Sequence, residues 1–226
     1  LSYIVQCLHP DHKIARKHAL RISNSLKAIC ESLFACCDGL LAKDMVQPLF
    51  AHFDGLPESD CFVLFDALCH APPAAVNPAL FRAAEEPLER MLRSGTARWQ
   101  IMALRCTAHL RESASPELLQ RAAQPLPGEE TAVAYLRQRL LLGQTPDVLP
   151  DVSYLYLSNL KNAVHWTVKL VQIDILCDDA ARHPENAFHT AMHLSNLLSV
   201  SEHLPVREHA GEAMVTLAPY LTVDQR

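Results

Sequence analysis

The sequence predicts an all-α protein, and three observations lead there. Leu (35) and Ala (29), which favour helix, far outnumber the 29 Val, Ile and Thr residues that sheets draw on. Aromatic residues make up only 6% of the chain, and Gly occupies only 6 of 226 positions. Pro and Gly fall at helix-length intervals, with apolar residues between them recurring at i, i+4 and i+7. Together these exclude a β-sandwich, a disordered chain and any fold built on Gly-rich phosphate loops.

The breaks set the order of the elements. They lie near His9-Pro10, Cys37-Asp38-Gly39, Gly55-Leu56-Pro57, Pro72-Pro73, Ser94-Gly95, Pro125-Leu126-Pro127-Gly128, Gly143 to Pro150, His183-Pro184 and Leu204-Pro205. In the first long segment Ala15, Ala19, Ile22, Leu26, Ile29, Cys30 and Leu33 share one helix face. Lys13, Arg16, Lys17, Arg21 and Lys27 take the opposite one. Val152 to Leu160, the one extended-looking stretch, reads as a helix entered after Pro150. The segment Val164 to Ala181 carries two apolar stripes, one through Val168, Val171 and Ile175 and one through Trp166, Leu170, Ile173 and Cys177. A helix apolar on two sides is sandwiched between neighbours. Asp174 and Asp178 form its polar edge, with Arg182 one turn on as a candidate ion-pair partner. In the last segment Val206, Ala210, Ala213, Met214, Leu217 and Leu221 face one way, and Arg207, Glu208 and Glu212 the other.

These helices recur as pairs. Second helices are expected to begin near Asp11, Ser59, Ala97, Glu129, Ala163 and Pro205, an irregular spacing in the range expected of helical-hairpin repeats. Val206-Arg207 followed by Ala210-Gly211 and Ala213-Met214 resembles the second-helix signature of HEAT repeats. Asp11 to Ala15 with His18-Ala19-Leu20 resembles it too, and Ala97-Arg98 with Ile101 to Leu104 follows more loosely. Over 115–160 the prolines 125, 127, 146 and 150 break the register. The resemblance implies one right-handed α-α superhelix over 1–226, of roughly 11–13 helices. It also implies an interaction scaffold that presents a curved surface to a protein or peptide. Small residues let paired helices approach, and aliphatic residues bury between hairpins.

Charge and cysteines narrow the setting. A net charge of −5 is the opposite of what a non-specific nucleic-acid binder carries. The balance is uneven, with 1–50 basic and both 51–100 and 151–226 acidic. The eight Cys include no Cys-x-x-Cys pair, and Cys30, Cys69, Cys106 and Cys177 fall where an apolar face takes a small residue. Buried free thiols lead us to expect a reducing, cytoplasmic setting; the vicinal Cys36-Cys37 is an alternative redox or soft-metal pair. No apolar run reaches the roughly 18–20 residues of a membrane span. The chain opens at Leu1 without Met, so a fragment of a longer protein is expected. Apolar residues at both ends (Leu1, Tyr3, Ile4 and Val5; Leu217, Tyr220 and Leu221) make a homodimer an expected option.

Candidate chemistry is sparse. Glu185, His189 and His193 fall at i, i+4 and i+8, a ridge of the kind that supplies two metal ligands, so a helical metal-dependent enzyme is one reading. The His-Glu-x-x-His and Glu-x-x-His patterns are both absent. His9 and His12 beside Asp11 lack the adjacent His-Asp of a metal phosphohydrolase. No Gly-x-Ser-x-Gly supports a nucleophile, so neither a catalytic residue nor a cofactor is expected. The face of Lys13, Arg16, Lys17, Arg21 and Lys27 is either a docking surface for an acidic partner or phosphates, or a plain solvated face. Because HEAT-like folds include DNA glycosylases for alkylated purines, this face also supports an alternative reading as a nucleic-acid binder or enzyme of that type.

Overall fold

The computed structural model describes residues 28, 58–70, 78–144, 146, 149, 152 and 164–225. Among them every regular element is helical. Eight α-helices have defined bounds: α1 Glu58–His70, α2 Pro78–Arg93, α3 Ala97–His109, α4 Pro116–Ala123, α5 Thr131–Leu141, α6 Trp166–Arg182, α7 Ala187–Val200 and α8 Leu204–Leu217. Of the basic segment 13–33 only Ala28 is described, and it is helical. The chain divides into two compact units, Leu1–Gly128 and Glu129–Arg226.

In the first unit α1 is buried nearly all round, through Cys61, Phe62, Leu64, Phe65, Ala67 and Leu68. Trp99 of α3 stacks on Phe62, with ring centroids 4.1 Å apart and 15° between planes. One heptad further along both helices, Cys69 meets Cys106. Both pairs are 37 residues apart in sequence, so α1 and α3 lie side by side and run the same way. Between them α2 makes the return, burying Ala84, Leu88, Met91 and Leu92 on one stripe. Pro87, inside α2, has no N–H to give the carbonyl of residue 83, a feature that bends helices.

Local chemistry ends and starts these helices. α4 begins on Ser115, whose hydroxyl accepts from Leu118 N at 3.2 Å, with Pro116 at the first helical position. The Ser115 N–H donates to Glu85 Oε1 of α2 at 2.8 Å, fixing the start of α4 on α2. Gly95 and Gly128 both take positive φ (65° and 61°). A Cβ on Gly128 would stand 3.3 Å from the Gly95 carbonyl oxygen, so the two turns pack backbone to backbone. Gln100, fully buried in α3, ties that contact down by donating to Pro127 O (2.7 Å) and Leu92 O (3.3 Å).

In the second unit α6 is the sandwiched helix that its two stripes predict. Leu170, Ile173 and Ala180 join a core with Ala187, Leu194 and Leu197 of α7 and Val206, Ala210, Ala213 and Leu217 of α8. Val171, Ile175 and Leu176 are buried as well, and α6 also meets α5. α6 and α8 touch at Trp166–His203 and again at Asp174–His209, so they too run side by side in one direction. α7 makes the return. The α8 face expected from the sequence is the buried one, with Glu208 and Glu212 exposed. Leu217 is fully buried there, so Tyr220 is the exposed member of the C-terminal apolar set. Among the described residues no helix is long and apolar enough to cross a membrane.

Candidate functional site

Among the described residues, a polar cluster forms a seam across α5, α6 and α8 of the second unit. Helical spacing of four puts Tyr135 and Arg139 on one face of α5, and Asp174 and Asp178 on one edge of α6. The Tyr135 hydroxyl donates to Asp178 Oδ2 at 2.6 Å. Arg139 Nη1 donates to the Tyr135 oxygen at 2.6 Å and lies 3.2 Å from Asp178 Oδ1. On the α8 side, His209 Nε2 is 2.9 Å from Asp174 Oδ1. Asp179, one residue on, accepts from Asn186 Nδ2 at 2.9 Å. Beside the seam, Arg137 makes a two-pronged pair with Glu129, at 2.7 and 3.0 Å.

The electrostatics state what this seam can do. Burial, then the Asp178 carboxylate, pushes the Tyr135 hydroxyl far above the ordinary phenol range. Burial works against the Arg139 charge, yet Asp174, Tyr135 and Asp178 hold its pKa above the usual value. Cys177 stands between the two aspartates in sequence, and burial with both their charges pushes its thiol up to about 12. A nucleophilic cysteine needs the opposite environment, a neighbouring cation or a helix N-terminus. The Asp174–His209 pair therefore has no activated thiol to serve. With both aspartates engaged by donors on neighbouring helices, the arrangement acts as a three-helix clamp.

A second cluster sits where α6 and α8 begin. His165 caps α6, its Nδ1 accepting from Thr167 N at 3.4 Å. The Trp166 ring lies 5.7 Å from the His165 ring and stacks with that of His203, the cap residue of α8, at 6.3 Å. Lys169, one turn into α6, is nine-tenths buried, and neither helix carries an acid in its first turn. Burial pulls the Lys169 ammonium below its ordinary pKa. Burial, then the Lys169 charge, pulls the His203 imidazole down, with Glu202 opposing.

Lys13, Arg16, Lys17, Arg21 and Lys27 lie outside the described residues. His189 and His193 share α7, but Glu185 stands in the preceding 3-10 turn Pro184–Asn186. That turn winds at about three residues per turn, which takes Glu185 out of the helical i, i+4 series. Its carboxylate lies 3.7 Å from His183 Nδ1. Burial, with His189 adding, lowers the pKa of half-buried His193. Among the described residues no three His, Cys, Asp or Glu side chains gather so as to hold a metal ion. Arg182, expected beside Asp178, donates to the Pro146 carbonyl at 2.5 Å. The partners of Asp178 on α5 went unseen from sequence, since 43 residues separate it from Tyr135. Compared with protein-family models, curated proteins and solved structures, the chain matches none.

Proposed function

We propose that this chain is a non-catalytic interaction scaffold, a HEAT-like stack of helical hairpins that binds an apolar helical segment of another protein. The observation that carries the reading is the repeated step. In each unit a helix, its return and the next helix place like-directed neighbours 35 to 37 residues apart in sequence. Helical-hairpin repeats advance by a similar length, and their stacked layers give extended binding surfaces. The seam of paired charges supports the same reading, because it joins helices and leaves its thiol protonated. Phe188 and Met192, four apart on α7 and 44% and 59% exposed, offer a partner helix its apolar anchor.

The test is selection from a display library of helical peptides, followed by titration of the selected peptides against purified protein. Selected sequences are expected to carry apolar residues at i, i+3 or i+4 and i+7, and to lose at least ~10-fold in affinity to Phe188→Glu/Met192→Glu. Peptides that bind this variant equally well would reject the surface. A short DNA duplex, titrated in parallel at two salt concentrations, discriminates the nucleic-acid reading. Salt-sensitive binding abolished by Lys13→Glu/Arg16→Glu/Lys17→Glu would replace the scaffold with a nucleic-acid binder.

A further inference from the structure

We propose that Cys69 and Cys106 are an oxidation site, a thiol pair that a small-molecule disulfide of the glutathione class converts to a disulfide joining α1 to α3. The two sulfurs are 2.9 Å apart. A disulfide bond is ~2.05 Å long, so closure needs less than about 1 Å of relative movement. The parallel packing of α1 and α3 sets this approach. Phe62–Trp99 stacking holds the helices in register one heptad earlier, with the same 37-residue offset. Cys106 is fully buried and its S–H donates to the Phe65 carbonyl oxygen at 3.3 Å. That bond turns its hydrogen away and leaves sulfur lone pairs free to face Cys69. Cys69 is half-buried, so an oxidant reaches it first.

The chemistry balances in two exchanges. The Cys69 thiolate, having lost its proton to water, attacks one sulfur of the oxidant RSSR and expels RS⁻, which takes up a proton as RSH. Cys106 then loses its proton to water, and its thiolate attacks the Cys69 sulfur of the mixed disulfide and expels the second RS⁻, which takes up that proton as RSH. Two protein thiols are oxidised, one disulfide bond is reduced, and two RSH leave. Burial and the neighbouring Cys69 hold the Cys106 thiol well above its ordinary pKa, so no stabilised thiolate favours the reduced pair. An outside thiol that attacks Cys69 in the closed pair must expel this poor leaving group. Reduction is therefore slow once the bond has formed.

The experiment equilibrates the full chain in glutathione buffers stepped from reducing to oxidising, quenches with acid, alkylates under denaturing conditions and maps the cysteines by mass spectrometry. The expected result is a Cys69–Cys106 cross-linked peptide two hydrogens lighter than its reduced parts, and a rise of more than about 5 °C in melting temperature. Cys69→Ser, at a half-exposed position, should keep its far-UV helical signal, lose that rise and leave Cys106 alkylated under every condition. Recovery of both thiols fully alkylated across the series would overturn the proposal. So would a stable glutathione adduct on Cys69 that Cys106 never resolves.

Discussion

The two units hold their helices together by different means. In the first, like-directed α1 and α3 meet through Phe62 on Trp99 and through sulfur on sulfur, and the buried Gln100 amide is tied to backbone carbonyls. In the second, like-directed α6 and α8 share an apolar core but add the Asp174–His209 pair, and α5 attaches through Tyr135 and Arg139. The difference is one of response. The ion pair that also joins α1 to α3, Glu58 with Arg98 at 2.8 Å, stands exposed where water and salt screen it, whereas the charges of the second unit's seam are partly buried and screened less.

The chain holds one Trp in the described part of each unit, Trp99 and Trp166, so single-Trp variants read the units separately. The largest expected effect is in the first unit. Phe65 is 0% exposed, and Phe65→Ala should cost about 3–5 kcal/mol through lost transfer energy and the cavity left behind. Urea unfolding followed by Trp99 fluorescence in a Trp166→Phe background measures it; a loss below ~1 kcal/mol would contradict the packing described. Next, Asp178→Ala should cost about 1–3 kcal/mol, because the Tyr135 hydroxyl and Arg139 both lose their acceptor. Trp166 fluorescence in a Trp99→Phe background reports that loss, and addition of Tyr135→Phe should recover part of it.

The smallest effect is the most specific to the second unit. His193 and His203 have folded pKa values below the unfolded value of about 6.5. Between those values the unfolded chain binds more protons, so their contribution is fully present above about pH 6.5 and declines as pH falls through the folded values. The Trp166 urea midpoint should therefore be lower at pH 5.5 than at pH 7.5. The double variant His193→Gln/His203→Gln should narrow that gap, and an unchanged gap would remove these two imidazoles from the account.

Much of the helix pattern was legible because it is local. Starts expected near Ser59, Ala97, Glu129, Ala163 and Pro205 appear at Glu58, Ala97, Thr131, Trp166 and Leu204. Gly95, Gly128 and Gly143 end segments in the positive-φ turns that favour Gly. The two-striped α6 and its Asp174/Asp178 edge follow from angle alone. The ridge of Glu185, His189 and His193 read less well, since Pro184 opens a 3-10 turn that breaks the α-helical register. Leu217, counted among the apolar residues of the C-terminal end, packs into the core, and sequence position alone says nothing about what packs against it.

By itself the sequence determined helix content, helix boundaries and which face of each helix is apolar. These depend on propensity and a 3.6-residue period, both written within one or two turns of chain. Only the tertiary structure decided which faces meet. Cys69 and Cys106 each read as a small residue on its own apolar stripe, and nothing local to either one brings the other within 2.9 Å. Asp178 offered a local partner in Arg182 and found Tyr135 and Arg139 instead. A carboxylate takes whichever donors packing places against it, and packing is settled by burial of the whole face.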